Sequence, residues 1–233
     1  ILRKFLLPRL EGFVFQSEGA RDCFNTTVVA KSCIIHNPVC IPEVIVHEYN
    51  NSNEFNIINV GRFHSQKNQS LLIDAVANVY QEYPNVRLSI YGEGDLKDKL
   101  KSKIEAKGLN GIVSIYEPRK DILNIINMHS LFVLSSDYEG MPNVLLESMA
   151  IGLPCISTDC KPGGARTLIE NGVNGILVPI GDVEKLSLAI RSLINNPERA
   201  KRLGLNAKLI KVSHTPEIIY DKWMQYLEKL IAR

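Results

Sequence analysis

The chain has few of the residues that metal, redox, membrane-spanning or nucleic-acid chemistry demands, and each shortage excludes a class of function. Its five cysteines, Cys23, Cys33, Cys40, Cys155 and Cys160, include no C-x-x-C pair and no nearby histidine cluster of zinc spacing. They read as ordinary thiols of a reducing cytoplasm. Cys155, with no base placed beside it, reads as a small core residue rather than a nucleophile. The five histidines contain no i, i+4 pair, so no metal is expected. No apolar run approaches the ~18–20 residues of a bilayer span.

The segment Ile1 to Leu10 is interrupted by Arg3, Lys4, Pro8 and Arg9, which excludes a signal-peptide core. It reads as a severed piece of a preceding domain, with peripheral membrane contact as the competing use. The chain starts without Met and is taken as part of a longer protein. Its 27 basic and 25 acidic residues are interspersed without a basic stripe, so nucleic acid is not an expected partner.

What is present is the rhythm of an α/β fold, and 233 residues leave room for one such domain with part of another. Gly12–Phe15 and Cys33–His36 read as short strands, with a helical stretch between them at Glu18–Phe24. The polar run Glu48–Glu54 reads as a linker. From Phe55 on, six strands are expected at Asn56–Val60, Val86–Tyr91, Ile112–Ile115, Leu131–Leu134, Cys155–Ser157 and Gly175–Val178. Helices fill the gaps at about Asn68–Glu82, Leu96–Lys107, Lys120–Asn127, Asn143–Ile151, Val183–Asn195 and Pro197–Val212. The alternation predicts a Rossmann-like parallel sheet flanked by helices. A last helix starts at Thr215-Pro216-Glu217, and its stripe of Ile219, Trp223, Tyr226 and Leu230 is expected to pack on the domain.

The corners after the strands carry the candidate chemistry. Arg62 and Lys67 lie in Val60–Asn68, where a forked guanidinium and a mobile ammonium suit phosphate, or else form a solvated basic loop. Gly92-Glu93-Gly94 gives half of a dinucleotide fingerprint, but Lys97 stands where the third glycine belongs. It reads as a tight turn, against a nicotinamide or flavin enzyme. Ser135–Glu147 joins a strand, a turn and a helix start, with Pro142 expected at the first helical position. Its acids Glu139 and Glu147 are either a general acid/base pair, as in glycoside hydrolysis, or acceptors for vicinal hydroxyls. Ser157–Gly164 follows another strand, with small residues that permit close approach of a ligand, or is only a flexible loop.

Together these corners resemble the donor-binding half of retaining glycosyltransferases of family four, which have the GT-B fold of two facing Rossmann-like domains. The resemblance runs from about Cys33 to Arg233. It rests on Ile35-His36-Asn37-Pro38-Val39, Gly61-Arg62 with Lys67, Gly92-Glu93-Gly94, the E-G-x-P-N-x-x-x-E pattern from Glu139 to Glu147, and Gly163-Gly164.

By this resemblance, residues 1–36 would be the remnant of an N-terminal acceptor domain and 37–54 a linker. Residues 55–213 would bind the nucleotide-sugar, and 214–233 would form a helix crossing back to the acceptor domain. Gly61, Arg62 and Lys67 would hold the donor diphosphate, Glu139 the hydroxyls of the transferred sugar and Glu147 the ribose. Arg62, Lys67 and Glu139 would be the catalytic set. Gly140 and Met141 would offer backbone N–H groups within the donor segment Gly140-Met141-Pro142-Asn143-Val144. Tyr116, Glu117 and Pro118 would lie near the base.

The implied donor is a UDP-sugar or another NDP-sugar, with no cofactor or metal. The implied acceptor is a glycan or lipid-linked sugar, and the implied location is the cytoplasm, at the inner face of the membrane. Arg166-Thr167 departs from the pattern, since many relatives have an acid there. A nucleotide-sugar epimerase of the same fold and a non-catalytic nucleotide-sugar-binding module are the competing functions.

Overall fold

The computed structural model describes residues 6–43, 45, 47–49 and 53–232. The segment before Leu6, and Asn50–Ser52 of the expected linker, lie outside the described residues.

A small parallel sheet comes first, formed by β1 (Phe13–Phe15) and β2 (Ser32–Ile34). Between them lie α1 (Glu18–Asp22) and α2 (Thr26–Ala30), capped by the side chains of Ser17 and Asn25. The second helix is missed by periodicity because five residues are too few to show it, although Asn25 before two threonines is a cap signal.

The main sheet has six parallel strands in the order β5-β4-β3-β6-β7-β8. They are β3 (Phe55–Val60), β4 (Val86–Tyr91), β5 (Val113–Tyr116), β6 (Leu131–Leu134), β7 (Cys155–Thr158) and β8 (Ile176–Val178). Helices intervene in chain order: α3 (Gln69–Tyr80), α4 (Lys97–Ala106), α5 (Ile122–Asn127), α6 (Asn143–Ile151), α7 (Gly164–Leu168) and α8 (Val183–Ile194). The chain closes with α9 (Pro197–Lys208), α10 (Ile210–Ser213) and α11 (Pro216–Ile231). The six expected strands and the parallel α/β architecture are present.

Both sheet faces are covered, which is why β6 and β7 are buried at every residue and read as unbroken apolar or small runs. Neighbouring residues of β3 serve opposite faces. Ile57 joins Leu72 and Ile73 of α3 and Leu186 and Ile190 of α8, while Ile58 joins Leu145, Leu146 and Met149 of α6. Val39 and Ile45 are buried in the second cluster, so the stretch after β2 is docked along the domain.

Three expectations need correction. Pro142 is the N-cap of α6, with ψ 100°, rather than its first helical residue; its carbonyl accepts from both Leu145 and Leu146. The helix expected over Pro197–Val212 is two, because Leu209 turns back onto Asn206 and Ala207. The stripe of α11 splits: Ile219 is buried, Leu230 lies over Gly12, and the Tyr226 hydroxyl bonds the small sheet. Trp223 stays 41% exposed.

Candidate functional site

In an open parallel sheet, ligands bind outside the carboxyl ends of the strands where the strand order reverses. Here the chain enters the sheet at β3, proceeds to β5 on one side and returns to β6 on the other. The switch point therefore lies between the ends of β3 and β6, after Val60 and Leu134. The two loops that leave these strands carry Arg62 and Lys67 on one side and Glu139 on the other.

Lys67 and Glu139 meet there. The Lys67 ammonium donates to Glu139 Oε1 at 2.5 Å, and Ser136 Oγ donates to the same oxygen at 2.6 Å. Glu139 is buried, and its Oε2 has no partner among the described residues. The Lys67 stem reaches the pair by crossing Gly61, where a Cβ would lie 3.4 Å from Lys67 Cγ, Cδ and Cε. Of the two cations assigned to this corner, Lys67 is thus fixed, while Arg62 is exposed with no side-chain partner among the described residues.

The loops are also joined along their length by residues that sequence reasoning did not single out. Asp137 N–H donates to Gln66 O at 2.8 Å, and Gln66 Nε2 donates to Tyr138 O at 2.8 Å. Ser135 Oγ donates to Lys67 O at 2.9 Å, and Asn68 Nδ2 to Asp137 Oδ1 at 2.8 Å. Asn68 sits at φ 42°, the left-handed region that Asn tolerates, and its side chain caps α3 by accepting from Leu71 N–H. The asparagine before an apolar helix was the readable part of this signal.

Glycines set the backbone spacing around the pair. A Cβ on Gly92 would lie 2.0 Å from the Gly61 carbonyl oxygen, and one on Gly164 would lie 1.6 Å from that of Gly140. Both glycines therefore bring loops against each other. Gly140, Met141, Asn143 and Val144 carry backbone N–H groups with no partner among the described residues, two of them in the first turn of α6. Such groups, with the helix dipole, suit an anion.

Glu147 is in the second turn of α6, half-buried, with no partner among the described residues. Burial pushes its carboxyl above the usual range. Tyr116, Glu117 and Pro118 are exposed at the end of the edge strand β5. The Tyr116 ring stacks on Tyr91 with centroids 4.7 Å apart, and Glu117 pairs with Lys97. Arg166 turns to Asp159, its Nε donating at 2.9 Å. Cys155 is fully buried, and burial raises its thiol pKa, as fits a core residue. Burial first, and then the Glu139 charge, push the Cys160 thiol up to about 11.

The small sheet and α11 supply a facing wall. Phe15, Gln16, His36, Asn37 and Trp223 line, with Gly140, an open cleft of about 360 Å³. Asn37 Nδ2 donates to Asn143 Oδ1 at 2.5 Å, tying this wall to the start of α6. Behind it, the His36 and His214 rings stack, with Nδ1 and Nε2 3.1 Å apart. Among the described residues no three His, Cys, Asp or Glu side chains converge to hold a metal ion.

Residues 40–210 match the family model described as Glycosyl transferases group 1. The lipopolysaccharide core biosynthesis glycosyltransferase LpsE of Rhizobium meliloti is 31% identical over 172 residues, covering 73% of this chain and 49% of that protein. The putative glycosyltransferase EpsD of Bacillus subtilis is 30% identical over 179 residues, 75% of this chain and 46% of that protein. Among solved structures, S. aureus TarM in complex with fondaparinux, alpha-GlcNAc-glycerol and UDP superposes with a TM-score of 0.85 at 26% identity. The superposition covers 94% of this chain and 44% of TarM. The chain thus spans about half the length of these relatives.

Proposed function

The chain belongs to the glycosyl transferases group 1 family, and we propose that it is the donor-binding part of a retaining, family-four enzyme that uses a UDP-sugar. The observation that carries this reading is the Lys67–Glu139 contact of 2.5 Å at the switch point. In a nucleotide-sugar the diphosphate and the sugar hydroxyls are joined through the anomeric carbon, so their receptors must lie side by side. A cation and a carboxylate in contact meet that demand. The ammonium has two further N–H groups and the carboxylate a further oxygen, so both can engage donor without parting.

In this reading Arg62, Lys67 and the free N–H groups from Gly140 to Val144 take the diphosphate. Glu139 takes hydroxyls of the transferred sugar, Glu147 those of the ribose, and the Tyr116–Pro118 loop lies near the base. As the bond from the anomeric carbon to the diphosphate oxygen breaks, negative charge gathers on the leaving group. Fixed cations stabilise that charge more in the transition state than in bound donor. The acceptor oxygen bonds to the anomeric carbon on the same face and passes its proton to the departing phosphate. No protein base is assigned.

The acceptor is a glycan or lipid-linked sugar at the cytoplasmic face of the membrane, held by an acceptor domain of which residues 1–36 are the tail. By themselves these 233 residues bind donor without completing transfer. The similarity to TarM, whose structure contains UDP, supports the choice of uridine.

The test is calorimetry with UDP, GDP, ADP and UDP-sugars. UDP should bind, and Lys67→Ala and Arg62→Ala should each weaken it about tenfold or more. Unchanged affinity in both variants refutes the phosphate assignment. In the full-length enzyme, donor turnover to a 2-epimer without acceptor would replace transfer by epimerisation, and donor binding with no turnover under any acceptor would leave a binding module.

A further inference from the structure

Behind the cleft that faces the start of α6 runs a chain of hydrogen bonds whose direction is fixed by a carbonyl. Ser213 Oγ donates to Ile210 O at 3.1 Å, and His214 Nδ1 lies 2.9 Å from that hydroxyl oxygen and 3.3 Å from the same carbonyl. A carbonyl only accepts, so the His214 proton is on Nδ1 and its Nε2 carries a lone pair. His36 Nδ1, 3.1 Å from that Nε2, must then be the donor. Neutral His36 is thereby left with a bare lone pair on Nε2, which has no partner among the described residues. Burial, the largest cause of the lowered pKa of both rings, favours their neutral forms.

His36 lines the open cleft beside Gly140, and the groups around it define what would fill that cleft. Among the described residues no Lys, Arg, Asp or Glu lines it, so neither a phosphate nor a cation would meet an opposite charge there. Gln16 Nε2 donates to Asn37 Oδ1, which leaves Gln16 Oε1 as a second acceptor without a partner among the described residues. Trp223 of α11, 41% exposed, adds an indole face and an N–H with no partner among the described residues. At about 360 Å³ the cleft is at the small end of ligand sites, about 300–1,000 Å³. A neutral ring with hydroxyls round its edge and C–H groups on its faces fits all of these. Its face lies on the indole and its hydroxyls reach the acceptors.

We propose that His36, with its tautomer set by His214, accepts a hydrogen bond from a hydroxyl of a neutral sugar seated on Trp223. This rests on the function proposed above, in which that sugar belongs to the acceptor and lies beside the donor loop at Gly140. His36 touches the sugar, and His214 is a positioning residue. Without His214 the His36 proton is free to sit on Nε2, and the lone pair that meets the hydroxyl is gone. No proton changes owner in this contact, so it supplies orientation rather than a base.

Trp223 is the single tryptophan of the chain, so its fluorescence reports on this cleft alone. The test follows it while the chain, with and without UDP, is titrated with methyl glucoside, methyl galactoside and their N-acetylhexosamine counterparts. At least one should give a saturable change, and His36→Phe should weaken its binding about tenfold, as expected where a hydroxyl is left unpaired. His214→Phe should weaken it likewise. Because that variant also alters packing, nitrogen NMR of the imidazoles supplies an independent reading. In the unaltered chain at pH 8 both rings should carry the proton on Nδ1, and in His214→Phe that of His36 should move to Nε2. The absence of a saturable change with every glycoside overturns the proposal. So does unchanged affinity in His36→Phe, or an Nε2 proton on His36 in the unaltered chain. Glycoside binding that persists where UDP fails to bind would sustain the site on Trp223 while refuting the donor assignment.

Discussion

Lys67 and Glu139 are 72 residues apart in the chain and 2.5 Å apart in space, closing the two loops of the strand switch over a shared carboxylate oxygen. Removing one partner leaves a buried charge uncompensated, whereas removing both does not. Lys67→Ala should therefore cost about 3 kcal/mol of unfolding free energy. Lys67→Met/Glu139→Leu should regain most of it while donor binding stays lost. Urea denaturation and calorimetry on the same samples separate the two effects.

Glu147 carries a half-buried carboxyl raised by burial, with no partner among the described residues. An acid whose folded pKa lies above its unfolded value favours folding while protonated and opposes it as pH rises through the folded pKa. Glu147→Gln is expected to raise Tm at pH 7.5 and to weaken donor binding at the same time. A lower Tm would show a favourable partner for the carboxylate.

The His36 and His214 rings face each other, and burial is the main cause lowering both pKa values, with the positive charges of His214 and Lys222 adding to the effect on His36. A histidine with a depressed folded pKa contributes stability above its unfolded value, ~6.5, and loses it as pH falls from there toward the folded value. His47 and His129, lowered chiefly by burial, act in the same direction. The urea midpoint should fall between pH 7.5 and 5.5. His36→Gln should reduce that fall, and an unchanged slope would contradict the pairing.

Glu139→Gln keeps the shape of the site but not the charge. If this side chain holds sugar hydroxyls, transfer by the full-length enzyme should drop about 10²-fold or more with the pH profile unchanged. Loss of one limb of that profile would return Glu139 to general acid or base work.

Gly164 and Gly140 make a paired control. A Cβ on Gly164 would strike the Gly140 carbonyl, whereas one on Gly140 meets nothing within 4 Å. Gly164→Ala should cost about 3 kcal/mol and weaken donor binding by shifting the Gly140–Met141 backbone. Gly140→Ala should leave thermal stability nearly unchanged.

The architecture was readable because β3 to β8 carry apolar, β-branched runs, and because Gly152 and Asp182 mark helix ends and starts in the usual way. The approximate corner of the site was readable too, since strand ends and convergent charges suffice to locate it. What could not be read was how the corners meet. Gln66, Asn68, Ser135 and Asp137 are ordinary polar loop residues, and their partners lie about 70 positions away along the chain. Spacing carries no information about such contacts. Nor does it tell that Lys67 would be held while Arg62 is left exposed, because both are simply cations after one strand. Pro142 misled for a related reason: the proline signal fits a helix start, but the loop holds it one residue earlier at ψ 100°.

The hydroxyl of Tyr226 takes the N–H of Phe13 at 2.8 Å and reaches the carbonyl of Lys31 at 2.7 Å, so α11 and the small sheet form one mechanical piece. That piece rejoins the main sheet through two short spans, Ile35–Val39 and Ser213–Thr215, and these are stapled where Val39 N–H donates to His214 O at 2.7 Å. A load applied on the small sheet is therefore shared between the stacked His36–His214 pair, the tie from Asn37 to Asn143, and the seat of Gly19 on the Pro162 carbonyl, where a Cβ would lie 1.8 Å from the oxygen.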